Sequence, residues 1–210
     1  MPAAIAGLPL TNQAGRPVKL SDFRGRTVVL ANFLTSCQEA CPLTTGALET
    51  MSAAVESAHL SAKVVFAEVS IDPGRDSPSR LAAYAAYTGA HFDLLTGRQA
   101  DLDRLWGYFG IYYEKVAEGS PPGTDWQTGR PYTYDMDHQD GFVLIDARGH
   151  ERFITVAMPD LHGKLAPRLY RLLDGNGRQN LDHPAQGTWT VQDGLAALGW
   201  VLGRDISTGR

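Results

Sequence analysis

The sequence predicts an α/β protein: a central mixed sheet flanked by helices, with an N-terminal hairpin and a C-terminal helical extension. Three observations carry that prediction. Two runs, Thr27–Leu34 and Lys63–Ile71, are too apolar and too β-branched for half-exposed strands, and fit strands buried on both faces. Helical periodicity follows each of them. Further on, Gly141–Ile145 and Arg152–Val156 flank the turn Asp146-Ala-Arg-Gly149, a β-hairpin that supplies an antiparallel edge.

Composition narrows the function. The 210 residues are 43% hydrophobic and 20% charged, enough for one sizeable core. A net charge of -4 argues against a nucleic-acid partner, which needs a basic face. No window approaches the ~20 apolar residues of a membrane span. The start, Met1-Pro-Ala-Ala-Ile-Ala-Gly-Leu-Pro-Leu10, lacks the basic and long apolar regions of a signal peptide, so the chain is either cytosolic or shown without a leader.

Taken in order, residues 8–20 read as a short hairpin turning at Asn12–Gly15. After the first core strand, Pro42 fits the first turn of a helix to about Ala58 that sets Leu43, Ala47, Met51 and Val55 on one face. Gly46 weakens that helix. The second core strand stops at Asp72-Pro73-Gly74, and Ser77 and Pro78 are the N-cap and first residue of a helix to about Tyr87. Phe92–Leu95 is a short apolar piece. A helix from Gln99 to Phe109 carries Leu102, Leu105, Trp106 and Phe109, and Ile111–Val116 is a strand. Residues 117–131 have no periodicity and read as a long surface loop of the kind that often serves as a lid or binding loop, in which Trp126 either covers a site or, the favoured reading, pins the loop to the body. Leu161–Leu173 reads as an amphipathic helix that Pro167 starts or kinks. Residues 174–188 are polar and turn-rich, and Val191–Leu202 is a last helix. Trp189 and Trp200 are expected to pack on the body. This order fits one thioredoxin-like domain over residues 1–174, with 175–210 as an extension packed on it.

Chemistry concentrates in Thr35-Ser36-Cys37-Gln38-Glu39-Ala40-Cys41-Pro42, which holds both cysteines of the chain. They stand where a core strand gives way to a helix, and the unpaired N–H groups of a first turn stabilise a thiolate. At this spacing both sulfurs can face one point, to form a disulfide or to chelate a soft ion. A thiol reductase of this fold sets a cis-proline opposite its cysteine pair; here that stretch is Asp135-Met-Asp-His138-Gln-Asp-Gly141, which has a histidine and no proline. His138 there completes a Cys2His set, with neighbouring carboxylates to orient the ring. Such a set suits Cu(I), Cu(II) with a further ligand, or zinc, and spacing does not separate them. The remaining histidines, His59, His91, His150, His162 and His183, have no such placement.

Several stretches resemble the Sco/SenC family of copper-binding, thioredoxin-like assembly factors for cytochrome c oxidase. These are Leu20-Ser-Asp-Phe-Arg-Gly25, the C-x-x-x-C-P of Cys37 to Pro42, Ser70-Ile-Asp-Pro73 with Asp76-Ser77-Pro78, and Asp137-His138 ahead of Gly141-Phe-Val-Leu-Ile-Asp146. The resemblance runs from about Leu8 to Val156. It implies copper on Cys37, Cys41 and His138, with Asp72 shaping the turn nearby. It implies as partners the copper-bearing subunit of the oxidase and another copper chaperone. It also implies a place on the extracytoplasmic face of the membrane or in the periplasm, held by an N-terminal anchor not in this chain. Gln38 stands where the family often has proline, Gln139 and Asp140 follow the histidine in place of serine, and residues 117–131 and the tail from about 175 have no assigned counterpart.

The expected function is therefore a binding protein rather than a turnover enzyme, one that delivers copper to the oxidase's binuclear centre or keeps its thiols reduced. The alternative is a thiol–disulfide oxidoreductase using Cys37 and Cys41 on a dedicated partner. Peroxiredoxin chemistry is disfavoured, because Leu30 and Leu34 stand where its proline and threonine would be. A purely structural disulfide across so short a turn would gain little from loop closure.

Overall fold

A computed structural model describes residues 1–208. A single helical turn, α1 (Ala3–Ala6), leads into the hairpin β1 (Leu10–Asn12) and β2 (Pro17–Val18). Asn12 Oδ1 closes that hairpin by accepting from the backbone N–H groups of Ala14 and Arg16. A 3-10 turn, Leu20–Phe23, precedes β3 (Thr27–Phe33), every residue of which is buried. Then follow α2 (Cys41–Ser57), β4 (Val64–Ser70), α3 (Pro78–Thr88), β5 (Asp93–Gly97) and α4 (Gln99–Phe109). Ser77 caps α3 by accepting from Arg80 N, with Pro78 behind it, as the sequence predicts.

The strands β8 (Phe142–Ile145) and β9 (Glu151–Thr155) complete a seven-stranded sheet in the order β2-β1-β5-β4-β3-β8-β9. Strands β3, β4 and β5 run parallel; β1 and β8 are antiparallel to their neighbours β5 and β3. This is the expected thioredoxin-like sheet, and β3 lies well inside it. The strand that ends in the cysteine turn is thus hydrogen-bonded on both edges and covered on both faces.

Four expectations need correction. Ile111–Val116 contributes β6 (Tyr113–Val116), but β6 does not join the main sheet; it pairs antiparallel with β7 (Asp135–His138) in a separate two-stranded ribbon. Leu161–Leu173 is not one helix. Strand β10 (Pro159–Asp160), which pairs with the later β11 (Trp189–Thr190), ends just before it, a left-handed turn at His162 and Gly163 follows, and α5 (Pro167–Tyr170) is a single turn. Pro167 begins α5 because it holds Ala166 in an extended conformation that a continuous helix could not pass through. The turn-rich stretch contains α6 (Gly175–Asp182), capped by Asp174, whose carboxylate accepts from Gly177 N at 2.7 Å. Finally, Trp200 on α7 (Val191–Leu202) is 62% exposed, under the guanidinium of Arg152. Gly194, Leu195, Leu198 and Gly199 make the buried face of α7, and a residue two positions past Leu198 points away from it. Trp189 does pack inward, edge-on to Phe142 at 4.7 Å.

The C-terminal segments lie on α2, which is why that helix is buried around most of its first three turns. A Cβ at Gly46 would sit 2.6 Å from Leu165 Cδ1, and one at Gly194 would sit 2.9 Å from Met51 Sδ. Gly46 costs helix propensity but lets α5 approach. Trp126 does pin the loop: its ring meets Tyr84 at 5.9 Å and Tyr87 at 5.4 Å, with Arg80 over its face.

Candidate metal centre

The chain leaves β3 at Phe33 and turns through residues 34–40 before α2 begins, and that turn is fixed from beneath by Asp76. Asp76 is fully buried, accepting from Thr35 N at 3.2 Å, Thr35 Oγ1 at 2.5 Å and Ser70 Oγ at 2.6 Å. Arg80 adds a hydrogen bond to Thr35 Oγ1 at 2.6 Å. Burial pushes the Asp76 carboxyl up to about 6 against these donors. Asp72, at the end of the second core strand, pairs with Arg75 and accepts from Tyr134 OH at 2.8 Å.

Within the turn, Cys37 Sγ accepts from the backbone N–H groups of Ala40 (3.4 Å) and Cys41 (3.3 Å), and Cys41 Sγ accepts from Leu34 N at 3.4 Å. The first turn of α2 thus points donors at sulfur. Both cysteines are free thiols. His138 approaches from the end of β7, its Nε2 3.9 Å from Cys41 Sγ. The ligand atoms of Cys37, Cys41 and His138 all lie within 4.8 Å of one another, the one group of three or more such side chains close enough for a metal ion among the described residues. On the far side of the ring, Nδ1 faces Asp140 Oδ1 at 3.4 Å and Gln139 O at 3.3 Å.

The electrostatics divide the roles. A hydrogen bond from the Cys41 thiol, with further help from His138, holds the Cys37 thiol well below its ordinary range despite burial. Burial and the neighbouring Cys37 charge push Cys41 well up. Burial would lower His138, but the hydrogen bond and charge of Cys37, aided by Asp140, raise it to about 10. Burial pushes Asp140 up to about 7 in spite of His138. These shifts favour charge on Cys37 and on the imidazole over Cys41, and a metal held by all three side chains would displace the protons that remain on them.

A cleft of about 880 Å³ opens onto Cys37 and His138. Its lining includes Glu39, Glu118, Asp135, Asp137, Asp140 and Asp174, and no lysine or arginine among the described residues. Loop 117–131 forms one wall and α6 the other. Glu39 accepts from Asn176 of α6 at 3.0 Å, and Asp174 N donates to Gln38 O at 3.0 Å. Gln38 also reaches Thr124 O, at 3.4 Å, so the residue that departs from the family pattern touches both walls.

The structure brings together the three residues singled out by the sequence, and leaves His59, His91, His150, His162 and His183 outside the cluster. Sequence reasoning missed Asn32. It is 1% exposed, on the core strand β3, and its Nδ2 donates to Gln139 O at 2.7 Å. One asparagine inside an otherwise apolar run was the available signal. Asp76 stands in a motif of the sequence, but its role under Thr35 depends on contacts 41 positions apart.

Comparison with known proteins places these features in context. The SCO1/SenC family model matches residues 6–190, past the Leu8–Val156 stretch and into the C-terminal segment. A Bacillus subtilis SCO1 protein homolog is 29% identical over 145 residues, covering 67% of this chain and 71% of the relative. The structure of Bradyrhizobium japonicum ScoI with copper bound superposes with a TM-score of 0.58 at 22% identity, covering 79% of this chain and 92% of that one. BsSco, described as a member of the Sco family of cytochrome c oxidase assembly proteins and as having a disulfide switch, gives a TM-score of 0.51 at 20% identity over 70% of this chain and 80% of its own.

Proposed function

The chain belongs to the SCO1/SenC family, and from that premise we propose that Cys37, Cys41 and His138 bind copper and that the protein supplies it to the copper-bearing subunit of cytochrome c oxidase or maintains that centre's thiols. The observation that carries this reading is the convergence of two sulfurs and an imidazole nitrogen within 4.8 Å, on a turn whose backbone N–H groups already favour thiolate. Two thiolates suit Cu(I); the added imidazole nitrogen makes the set hospitable to Cu(II) as well. Asp140 sits where it can hold the ring by its second nitrogen. Zinc competes on chemistry alone, and copper is favoured by the copper-bound ScoI relative. A copper chaperone is a further partner the family reading suggests.

The acidic lining of the cleft favours a cationic visitor, whether a metal ion or a basic segment of a partner. Among the described residues no helix is long and apolar enough to cross a membrane, and a location on the outer face of the cell membrane rests on family membership.

Titration of the reduced protein with copper tests the reading. One equivalent is expected to bind, with sulfur-to-copper charge-transfer absorption in the Cu(II) form. His138→Ala is expected to change that spectrum and weaken Cu(II) binding by tenfold or more, which corresponds to about 1.4 kcal/mol. Unchanged binding and spectrum in that variant would remove His138 from the ligand set. The oxidoreductase reading has its own support in the free thiol pair and lowered Cys37; it predicts reductase activity on a partner disulfide that survives His138→Ala.

A further inference from the structure

His138 stands on a strand that is not part of the main sheet. Among the described residues β7 pairs only with β6, so the sheet does not by itself fix where the imidazole lies relative to the sulfurs. Three sets of hydrogen bonds tie the ribbon to the body: on β6, Tyr113, opposite His138, donates to Asp103 Oδ1 at 2.5 Å and accepts from Gln99 Nε2 at 3.2 Å, both on α4, and the other two hold the ends of β7 itself. At its C-terminal end Asn32, on the same strand that ends in the cysteine turn, donates to Gln139 O at 2.7 Å, and that carbonyl also lies 3.3 Å from His138 Nδ1. At its N-terminal end Arg75 donates to Tyr134 O at 2.9 Å and lies over the Tyr134 ring at 3.9 Å, while its other edge pairs with Asp72. Tyr134 OH closes the loop by donating to Asp72 at 2.8 Å.

Both anchors carry a polar cost. Asn32 breaks an apolar strand and leaves its own Oδ1 buried without a partner, a costly placement for a side chain with only a packing role. Arg75 likewise leaves Nη2 buried and unpartnered.

We propose that Asn32 and Arg75 are positioning residues that suspend β7 from the body at its two ends and so set the reach of His138 to Cys37 and Cys41. This rests on the metal-site reading for its consequence, but not for its test. In the metal-free protein, Asn32→Leu and Arg75→Met should each speed amide hydrogen exchange across residues 135–140 while leaving 34–41 unchanged. In the copper-loaded protein each variant should release Cu(II) roughly three- to tenfold faster, the range expected for one lost hydrogen bond. Cu(I), for which the two sulfurs suffice, should leave at the parental rate. The double variant should approach His138→Ala in its Cu(II) spectrum, and Arg75→Lys should restore only part of the loss, since one ammonium cannot replace both edges of the guanidinium.

A merely structural role would loosen both oxidation states alike, and that result overturns the proposal. So does parental exchange across 135–140 in both single variants, whatever copper does. Should Asn32→Leu fail to fold, Arg75→Met carries the same measurements, because its side chain lies on the ribbon and outside the core strands. If the parent binds no copper, the metal reading falls, and the exchange data still decide the suspension.

Discussion

The cysteine arm and the histidine arm of the site are built to different standards of rigidity. The sulfurs hang from β3, buried along its whole length and paired with β4 on one edge and β8 on the other, and their turn is pinned by Asp76 through Thr35. The imidazole hangs from β7, a four-residue strand in which Asp135 and Asp137 are exposed and only Met136 is buried. One arm is held by the core along its whole length, the other by the single buried side chain of Met136 and a few named hydrogen bonds. That difference suits a site that must keep its thiolates fixed while one ligand can be gained or lost, because removing a single polar contact shifts the ribbon without disturbing the sheet.

Perturbing the core beneath each arm breaks the comparison most strongly. Leu30→Ala, in the middle of β3, is expected to destabilise the protein by ~2–5 kcal/mol in denaturant unfolding. Met136→Ala, the buried residue of β7, should cost less, on the order of 1–2 kcal/mol, because it borders the open cleft and the gap can refill. Equal costs would mean that the histidine arm is as much part of the core as the cysteine arm.

A comparable effect is expected where α6 presses on the cysteine turn. A Cβ at Gly177 would lie 2.2 Å from Gln38 O and 3.0 Å from Glu39 Cα, both backbone atoms with little freedom to retreat. Gly177→Ala should therefore cost about 1–3 kcal/mol in a thermal melt and raise the alkylation rate of Cys37 as the turn loosens. A lowered melt with unchanged Cys37 reactivity would show that the turn holds without α6.

A pH-dependent effect sharpens the cysteine side. Glu68 lies on β4, wholly buried, with Thr45 Oγ1 donating at 2.9 Å, and burial pushes its carboxyl up to about 8. Between the unfolded value near 4.5 and the folded value near 8, the folded chain holds a proton that the unfolded chain has lost. Stability is then greatest below about 4.5 as far as Glu68 is concerned, and falls as pH rises toward 8, by on the order of 1 kcal/mol per pH unit. Glu68→Gln should flatten that slope in unfolding measured from pH 5 to 8. A slope left intact would assign it to Asp76 or Asp140, whose carboxyls are also raised.

Local pattern made much of this legible in advance. The apolar runs of β3 and β4, the Ser77–Pro78 cap and the buried faces of α2 and α4 are written in contiguous residues, where side-chain period and cap chemistry act over a few positions. The same locality misled at Leu161–Leu173, where periodicity suggested a helix but Pro167 allowed one turn, and at residues 174–188, where polar composition hid the Asp174 cap. Trp200 shows that an aromatic residue alone does not tell which face of a helix is buried.

By itself, then, the sequence determined that two thiols would meet at the end of a buried strand, because strand, turn and helix N-terminus are adjacent in the chain. It also marked His138 as a candidate, through a histidine standing where this fold would carry proline. Only the tertiary structure decided that β7 lies outside the sheet, that Asn32 meets Gln139 across 107 positions, and that Arg75 meets Tyr134 across 59. Those contacts depend on how the sheet and the ribbon pack together. No short-range propensity encodes a hydrogen bond between groups that far apart in the chain.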